Sequence, residues 1–465
     1  MSDLHDLTAL EQGATIRAGE VSSTELVEHY LARIAQYDEQ LGAFVTVTPE
    51  RARRQAREVT AESPLAGVPT AVKDLNATAG VRTTFGSAVF DDFVPDFSDE
   101  VVQRIEAAGL VSLGKTNTPE FGSPCYTEPD VAPPAVTPWD TGRTAGGSSG
   151  GAAAAVAAGL VPVAQGSDGG GSIRIPASCC GIFGLKPSRG RVSGSPMYGE
   201  VTGLATAGAL ARTVRDAAAL LDVMAGRAVG DPSWAAPPDE PFLTACDHEP
   251  GRLRIARFAE PVIADVEVHP ACTQAWEDAS RLLEALGHDV VDIAPPMPRD
   301  AVPVFETCWA VLTALSTVAL DEGQRAQLRP LTRWLGDWGA SVSGPEFGLA
   351  LGELRRVAAR ALAALAPYDL VLTPTLAQPP VPVGELRDDA DPRADFEAQK
   401  RFTPWTSMWN VTGSPAASLP LHRTAEGLPV GVMLAAAPGD EALLLSACAQ
   451  VEHAVPWAAA HPPCW

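Results

Sequence analysis

Apolar and polar positions along the chain follow two spacings, one typical of helices and one typical of buried strands. The stretch VSSTELVEHYLARIAQY repeats apolar residues at helical spacing, and Ser22 and Glu25 at its start have the spacing of a capping box. Residues 98–110 and the run GAAAAVAAGL also predict helices. Between them, TAVKDL, LVSLGKTN and LVPVAQGSD predict short buried strands.

The same alternation continues through the second half of the chain. The runs YDLVLTPT (368–375) and LPVGVMLAA (428–436) predict two further buried strands. Proline and glycine concentrate near residues 226–241 and 294–303, where they would form either linkers or surface connections. Because strands are predicted beyond both segments, we favour surface connections and predict an α/β fold with a largely buried sheet.

Composition narrows the class of protein. The 465 residues are 46% hydrophobic and 20% charged, as is usual for globular proteins. No apolar run approaches the roughly 18 residues of a membrane span, and MSDLHDLTAL lacks the regions of a signal peptide. Eight scattered cysteines without a Cys-x-x-Cys pair favour free thiols. We therefore expect a cytoplasmic protein with no membrane partner.

Charge and histidine spacing argue against further classes. The net charge of −23 disfavours a nucleic-acid partner, which would require a basic face. No two of the eight histidines lie within five residues of each other, and neither a His-Glu-x-x-His motif nor a Walker loop occurs. We expect no nucleic-acid partner, no metal and no cofactor.

Lysine is scarce in this chain, since only four of its 34 basic residues are lysines. Lysine loses its proton when it is buried, whereas arginine does not. Lys73, in the predicted strand TAVKDL, is therefore a candidate base, although a buried lysine paired with Asp74 or with a helix end would give the same pattern. We interpret Lys115 and Lys186 as structural residues.

Two clusters of glycine and serine surround Ser148 and Ser172. They allow three interpretations. The glycines could serve only tight turns and close packing, with the serines as helix caps. Residues 146–150 match Gly-x-Ser-x-Gly, but no predicted strand precedes them, as a nucleophile elbow requires. In the third interpretation Ser172 is a nucleophile, its glycine neighbours bind a developing oxyanion, and Ser148 relays a proton to neutral Lys73.

The stretch GRTAGGSSGGAAAAVAAGLVPVAQGSDGGGSIRIPASCCGIFGLKPSRGRVS resembles the signature of the amidase signature family. LAGVPTAVKDL, LGKTNTPEFG, TPWD, YDLVLTPT and FTPWTSMWNVTGSPAASLPL also match that family. The resemblance extends from about residue 7 to 455 and is most specific over 142–193. It implies one domain over residues 1–465, with a large mixed β-sheet core covered by helices on both faces.

The resemblance also implies a Ser–cis-Ser–Lys triad. Ser172 would be the acylated nucleophile, Ser148 the bridging serine after a cis peptide, and Lys73 the base. The oxyanion hole would come from the amides of Gly169, Gly170, Gly171 and Ser172.

The resemblance extends to the residues around this triad, with two departures. Ser149 would have a supporting hydrogen-bond role, while Asp168 and Arg174 would brace the nucleophile loop. Family members commonly have Thr or Ile where this chain has Gly169, which would loosen the oxyanion hole. They also commonly have a small polar residue where this chain has Ala152.

The same family implies an amidohydrolase of small non-peptide carboxylic amides, with linear, cyclic and aryl amides all open. The loop FGSPCYTEP (121–129) occupies the position that borders the acyl pocket, which makes substrate-binding candidates of Phe121, Gly122, Ser123 and Cys125. Five tryptophans are further candidates, although we expect most of them to pack in the core: Trp309, Trp334, Trp338, Trp405 and Trp409.

Three alternative functions remain open at this point. The chain could be the glutaminase subunit of a tRNA-dependent amidotransferase, an esterase or carbamate hydrolase of the same family, or a binding protein on an inactive scaffold. The sequence leaves the oligomeric state open, a homodimer included.

Overall fold

The structure is a computed structural model that describes residues 3–465. The strands in the described chain are β1 (Phe44–Val47), β2 (Pro69–Lys73), β3 (Val111–Thr116), β4 (Val163–Asp168), β5 (Phe183–Lys186), β6 (Thr206–Ala211), β7 (Arg254–Arg257), β8 (Asp289–Asp292), β9 (Leu370–Pro374), β10 (Ala416–Arg423) and β11 (Pro429–Ala436).

The helices are α1 (Ala9–Arg17), α2 (Ser23–Leu41), α3 (Pro49–Glu58), α4 (Glu100–Ala107), α5 (Gly150–Ala157), α6 (Arg174–Cys180), α7 (Val214–Met224), α8 (Phe242–Ala245), α9 (Pro270–Ala285), α10 (Val302–Thr317), α11 (Glu322–Ala326), α12 (Pro330–Ser341), α13 (Gly344–Leu365), α14 (Pro392–Phe402), α15 (Met408–Thr412) and α16 (Glu441–Ala454).

All eleven strands of the described residues form one sheet in the order β1-β3-β2-β4-β6-β5-β10-β11-β9-β7-β8. The pairs β2–β3, β2–β4, β7–β8 and β7–β9 are parallel. The other six pairs are antiparallel. The prediction of a large mixed sheet is therefore confirmed.

Helices cover both faces of this sheet. Val163 and Ala164 are neighbours on β4, so their side chains point to opposite faces. Val163 belongs to a buried cluster with residues of α7, α9 and α16. Ala164 belongs to a second cluster with residues of α2 and α5. A central strand such as β4 is therefore buried along nearly its whole length, although its second half includes the polar residues Gln165, Ser167 and Asp168.

The predicted elements agree with the structure. Helix α2 begins with the expected capping box, in which Ser22 Oγ accepts from Glu25 N at 3.1 Å and Ser22 N donates to Glu25 Oε2 at 2.7 Å. The five predicted strands are β2, β3, β4, β9 and β11. Residues 226–241 connect α7 to α8, and 294–303 lead from β8 into α10, so both are connections between elements of one fold.

Two further features of the described residues concern membrane-spanning helices and cysteine pairing. No helix within residues 3–465 has the length and apolar character needed to cross a membrane. The eight cysteines are all unpaired.

Candidate active site

The candidate site lies where two neighbouring parallel strands end. Lys73 is the last residue of β2, and Ser167 and Asp168 are the last residues of β4. These strands pair in parallel, with Thr70 opposite Val163. The carboxyl ends of parallel strands meet at one edge of the sheet, a usual place for a ligand site.

Lys73 is fully buried and contacts two serines. Its Nζ lies 2.7 Å from Ser148 Oγ and 3.0 Å from Ser167 Oγ. Burial lowers the pKa of Lys73 to about 7, although the Asp168 carboxylate opposes that shift. A large fraction of the amine is therefore neutral near neutral pH. The alternative pairing with Asp74 is wrong, because Asp74 Oδ1 lies 3.5 Å from Lys115 Nζ instead.

Ser148 connects this lysine to a cavity. The Gly147–Ser148 peptide is cis, as the resemblance implied. A Cβ on Gly147 would lie 2.8 Å from the backbone of Tyr126, so the chain approaches too closely there for a larger residue. Ser148 and Ser172 line the same cavity, which places the bridging candidate and the nucleophile candidate beside the same space.

Asp168 and Arg174 hold the loop that carries Ser172. Both are fully buried, and the two Asp168 oxygens accept from Gly171 N at 2.8 Å, Ile173 N at 3.1 Å, Arg174 Nε at 2.9 Å, Arg174 Nη2 at 2.8 Å and Asn410 Nδ2 at 2.8 Å. Burial alone would raise the pKa of Asp168, but the Arg174 guanidinium and the Asn410 amide hold it well below its usual range. Asp168 is therefore a charged anchor of the loop.

One member of the predicted oxyanion hole is engaged elsewhere. The amide of Gly171 donates to Asp168, so it is not available to an oxyanion. Gly171 has φ +134°, and a Cβ there would lie 2.5 Å from Thr406 Oγ1, so it shapes the loop. The amides of Gly169, Gly170 and Ser172 have no acceptor within residues 3–465. They are the remaining candidate donors.

Gly169, where the sequence departs from the family pattern, lies against the indole of Trp309. A Cβ on Gly169 would lie 3.4 Å from Trp309 Cζ3, and one on Gly170 would lie 3.8 Å from Trp309 Cη2. The Trp309 indole therefore packs against Gly169 and Gly170. Trp309 Nε1 also donates to Ser123 Oγ at 3.2 Å.

Ser149 stabilises the site through hydrogen bonds to the backbone of Ser167 and Ser172. Its Oγ donates to Ser167 O at 3.2 Å and accepts from Ser167 N at 3.3 Å, and its own amide donates to Ser172 O at 3.0 Å. Ser149 thus ties β4 and the nucleophile loop to the start of α5. Ser167, whose hydroxyl contacts Lys73, was not predicted; its place beside Asp168 at the end of a predicted strand was the available signal.

The predicted loop passes directly over Ser148. Phe121 has φ +50° and Gly122 has φ +68°. A Cβ on Gly122 would lie 2.4 Å from Leu75 Cδ1 and 3.2 Å from Ser148 Oγ. Cys125 is buried, and burial raises the pKa of its thiol well above the ordinary value, so it remains a neutral thiol.

Two cavities meet at Ser172. The first, of about 790 Å³ including its open mouth, is lined largely by apolar side chains that include Val262, Met297 and Phe305. The second, of about 800 Å³, contains Ser148 and Ser167. Ser123, Ser172 and Trp309 line both cavities.

The other tryptophans lie away from these walls. Trp405 and Trp409 are buried in the core, while Trp334 and Trp338 pack against each other and Trp334 packs against Phe396. The expectation that most of the five tryptophans are packing residues is confirmed. Within the described residues, no group of His, Cys, Asp or Glu side chains has the arrangement of a metal site.

The family of this chain follows from its similarity to known proteins. The amidase family model matches residues 25–445. The chain belongs to the amidase family. It is 37% identical to a 6-aminohexanoate-cyclic-dimer hydrolase of Paenarthrobacter ureafaciens, over 98% of this chain and 96% of that protein.

Solved structures of amidases have the same fold. A 6-aminohexanoate cyclic dimer hydrolase complexed with substrate superposes with a TM-score of 0.94, at 36% identity, covering 99% of each chain. A bacterial aryl acylamidase of the amidase signature family superposes with a TM-score of 0.88, at 28% identity, covering 98% of each chain. The amidase resemblance stated from the sequence is therefore confirmed, and the chain is an amidase-family hydrolase.

Proposed function

We propose that this amidase hydrolyses small non-peptide carboxylic amides through an acyl-enzyme on Ser172. The observation that carries the proposal is the buried Lys73, whose pKa is lowered and whose Nζ lies 2.7 Å from Ser148 Oγ, while Ser148 and Ser172 line one cavity. A serine hydroxyl becomes a useful nucleophile when a base takes its proton. Lys73 and Ser148 form a relay suited to that task.

In the first half of the reaction, Ser172 Oγ attacks the carbonyl carbon. Its proton passes to Ser148 Oγ as the Ser148 proton passes to Lys73 Nζ. The carbonyl oxygen becomes an oxyanion and accepts hydrogen bonds from the amides of the loop, with Gly169, Gly170 and Ser172 as the donors.

Collapse of the tetrahedral intermediate breaks the C–N bond. Lys73 returns its proton through Ser148 to the departing nitrogen, so the product leaves as a neutral amine. Water then attacks the ester on Ser172, giving its proton to the same relay. The ester bond breaks, Ser172 regains its proton, and the carboxylic acid is released.

The cavities support a small-molecule substrate. The largely apolar cavity beside Ser172 has the character of a site for a small apolar acyl group. Two relatives of this chain are named for cyclic-dimer and aryl-amide substrates, and both are non-peptide amides. The unpaired and largely buried cysteines agree with a reducing cytoplasm as the location.

Labelling with a fluorophosphonate, followed by peptide mapping, tests the nucleophile. We expect one adduct on Ser172 in the unaltered protein and none in Ser172→Ala or Lys73→Ala. Hydrolysis of acyl anilides by the same three proteins tests the reaction. Full amide hydrolysis by Ser172→Ala would refute the proposal. An adduct on Ser148 or Ser149 would assign the nucleophile to that serine instead of Ser172.

Assays of the purified chain without partner subunits also distinguish this function from the glutaminase alternative. A stand-alone hydrolase turns over acyl anilides without partner subunits, whereas an amidotransferase subunit is expected to require them. Native mass measured for the pure protein and in lysate distinguishes the two.

A further inference from the structure

The apolar cavity beside Ser172 contains an ion pair that the mechanism above does not use. Glu306 on α10 and Lys400 on α14 both line this cavity. Lys400 Nζ lies 2.5 Å from Glu306 Oε1, and the two side chains are only 13% and 17% exposed. Lys400 is one of only four lysines in the chain. A charged pair in a largely apolar wall needs a reason, because burial of charge is costly.

The formal charges around Lys400 do not balance. Its Nζ also lies 2.6 Å from Glu397 Oε1. Glu306, Glu397 and Lys400, which we call the charged cluster, therefore carry one net negative charge. Among the described residues that line the cavity, Glu306 and Lys400 are the charged ones. The two charges in the cavity wall itself balance, and the surplus negative charge of the cluster comes from Glu397, which pairs with Lys400 from outside the lining.

Glu306 has capacity for a further donor. Its Oε1 accepts from Lys400, while its Oε2 has no hydrogen-bond partner within residues 3–465. The neighbouring amide of Gln399 is already engaged, since Oε1 accepts from Cys125 N at 3.0 Å and Nε2 donates to Asp395 Oδ1 at 2.6 Å. Glu306 is therefore the group in this wall suited to a cationic donor.

The direction of proton transfer decides which half of the substrate meets this group. In the proposed function, the proton for the departing nitrogen arrives through Ser148. Ser148 lines the second cavity and not the apolar one. The amine half therefore lies in the second cavity, and the acyl half extends into the cavity that contains the charged cluster.

From these observations we infer that the acyl half of the substrate ends in an ammonium group, which Glu306 binds. The substrate class is the amides of ω-amino carboxylic acids, with the methylene chain against Val262, Met297 and Phe305 and the ammonium at the charged cluster. This inference rests on the proposed function, because it assigns the acyl group to the apolar cavity. Glu306 acts in specificity and takes no part in bond breaking.

Three p-nitroanilides of equal chain length test the inference: 6-aminohexanoyl, hexanoyl and mono-adipoyl. We expect kcat/KM for the ammonium compound to exceed that for the hexanoyl compound by about tenfold, as for a charge-assisted hydrogen bond in a partly buried site. The adipoyl compound, which ends in a carboxylate, should be the poorest substrate. This ranking needs only the unaltered protein.

Two variants locate the effect. Glu306→Gln should bring the ratio of the ammonium to the hexanoyl compound close to one, mainly through KM of the ammonium compound, and this ratio is measured within the variant itself. Glu397→Gln is the matched control, because Glu397 contacts the same Lys400 nitrogen at 2.6 Å but does not line the cavity. It should retain more of the preference than Glu306→Gln does, because the carboxylate that lines the cavity remains although the cluster loses one negative charge.

The outcomes separate this inference from the function beneath it. A hexanoyl compound cleaved as well as the ammonium compound, or a preference that survives Glu306→Gln, overturns the inference while Ser172-dependent hydrolysis still supports the proposed function. Preference for the adipoyl compound overturns it in favour of Lys400 as the anchor. If none of the three compounds is cleaved and Ser172 is not labelled, both proposals fail.

Discussion

Lys73 Nζ lies 2.7 Å from Ser148 Oγ, and no carboxylate within residues 3–465 forms an ion pair with this amine. Lys115 and Lys400, in contrast, each have a carboxylate partner. A buried amine without a counter-ion favours its neutral form. Lys186 is also buried without an ion pair in the described part of the chain, but its Nζ donates to Pro187 O. The contact with Ser148 is therefore what suits Lys73 to the role of a base, while the Asp74 partner suits Lys115 to a structural role.

The first prediction concerns pH. Because Lys73 must be neutral to accept a proton, and its pKa is lowered to about 7, kcat/KM should rise with pH through that value and level off above it. Two pH units below the pKa, the neutral fraction, and with it kcat/KM, falls by about 100-fold. A profile of anilide hydrolysis against pH measures this. A flat profile between about pH 5 and 9 would contradict the assignment of Lys73.

The second prediction concerns the triad side chains. Ser172→Ala and Lys73→Ala should each lower kcat by about 10⁴-fold or more, as in serine hydrolases that lose a nucleophile or base. The double variant should be no worse than either single one, because the residues act as a unit. Single-turnover assays measure the loss, and circular dichroism checks that the fold persists. Additive losses in the double variant would argue against a shared relay.

The strands that carry the site could be predicted because each contains a short apolar run, residues 71–72 in β2 and 163–164 in β4. Both strands are buried along nearly their whole length, and Lys73 and Asp168 stand out because each is the one charged residue of its strand. The cavity walls could not be predicted in this way. Phe305 and Lys400 lie on helices α10 and α14, and only tertiary packing brings them to Ser172.

The oxyanion hole shows a second limit of sequence reasoning. Four consecutive amides around Ser172 matched the family pattern, but the sequence does not reveal which of them are already bonded. The Gly171 amide donates to Asp168 because Arg174 and Asn410 hold that carboxylate in place. Asn410 lies on α15, far along the chain from Asp168. The hydrogen bond of the Gly171 amide to Asp168 therefore depends on tertiary packing and could not be predicted from the sequence near Ser172.

The third prediction concerns stability of the nucleophile loop. Asp168→Asn leaves the buried Arg174 guanidinium without its ion-pair partner, and breaking a buried pair costs about 3–5 kcal/mol. We expect the free energy of unfolding to fall by about that amount, together with a loss of activity as the loop relaxes. Urea titration measures the first effect. Asp278→Asn is the control, because its ion pair with Arg281 is exposed and should contribute under about 1 kcal/mol. Equal losses in the two variants would argue against the anchoring role.

The fourth prediction concerns the loop over Ser148. Gly122→Ala places a Cβ 2.4 Å from Leu75 Cδ1 and 3.2 Å from Ser148 Oγ, so the Leu75 side chain, the loop or the Ser148 hydroxyl must shift. We expect kcat to fall by about tenfold or more, because small displacements of a catalytic group are costly in rate.

Gly19→Ala is a matched control: Gly19 has φ +72° against +68° for Gly122, but a Cβ there meets nothing within 4 Å. Both variants carry the backbone strain of a left-handed residue, about 1–2 kcal/mol, so both should unfold at a lower urea concentration. Only Gly122→Ala should lose activity under native conditions. If Gly19→Ala lost as much kcat, the effect would come from global destabilisation, and the loop would have no direct influence on the Ser148 relay.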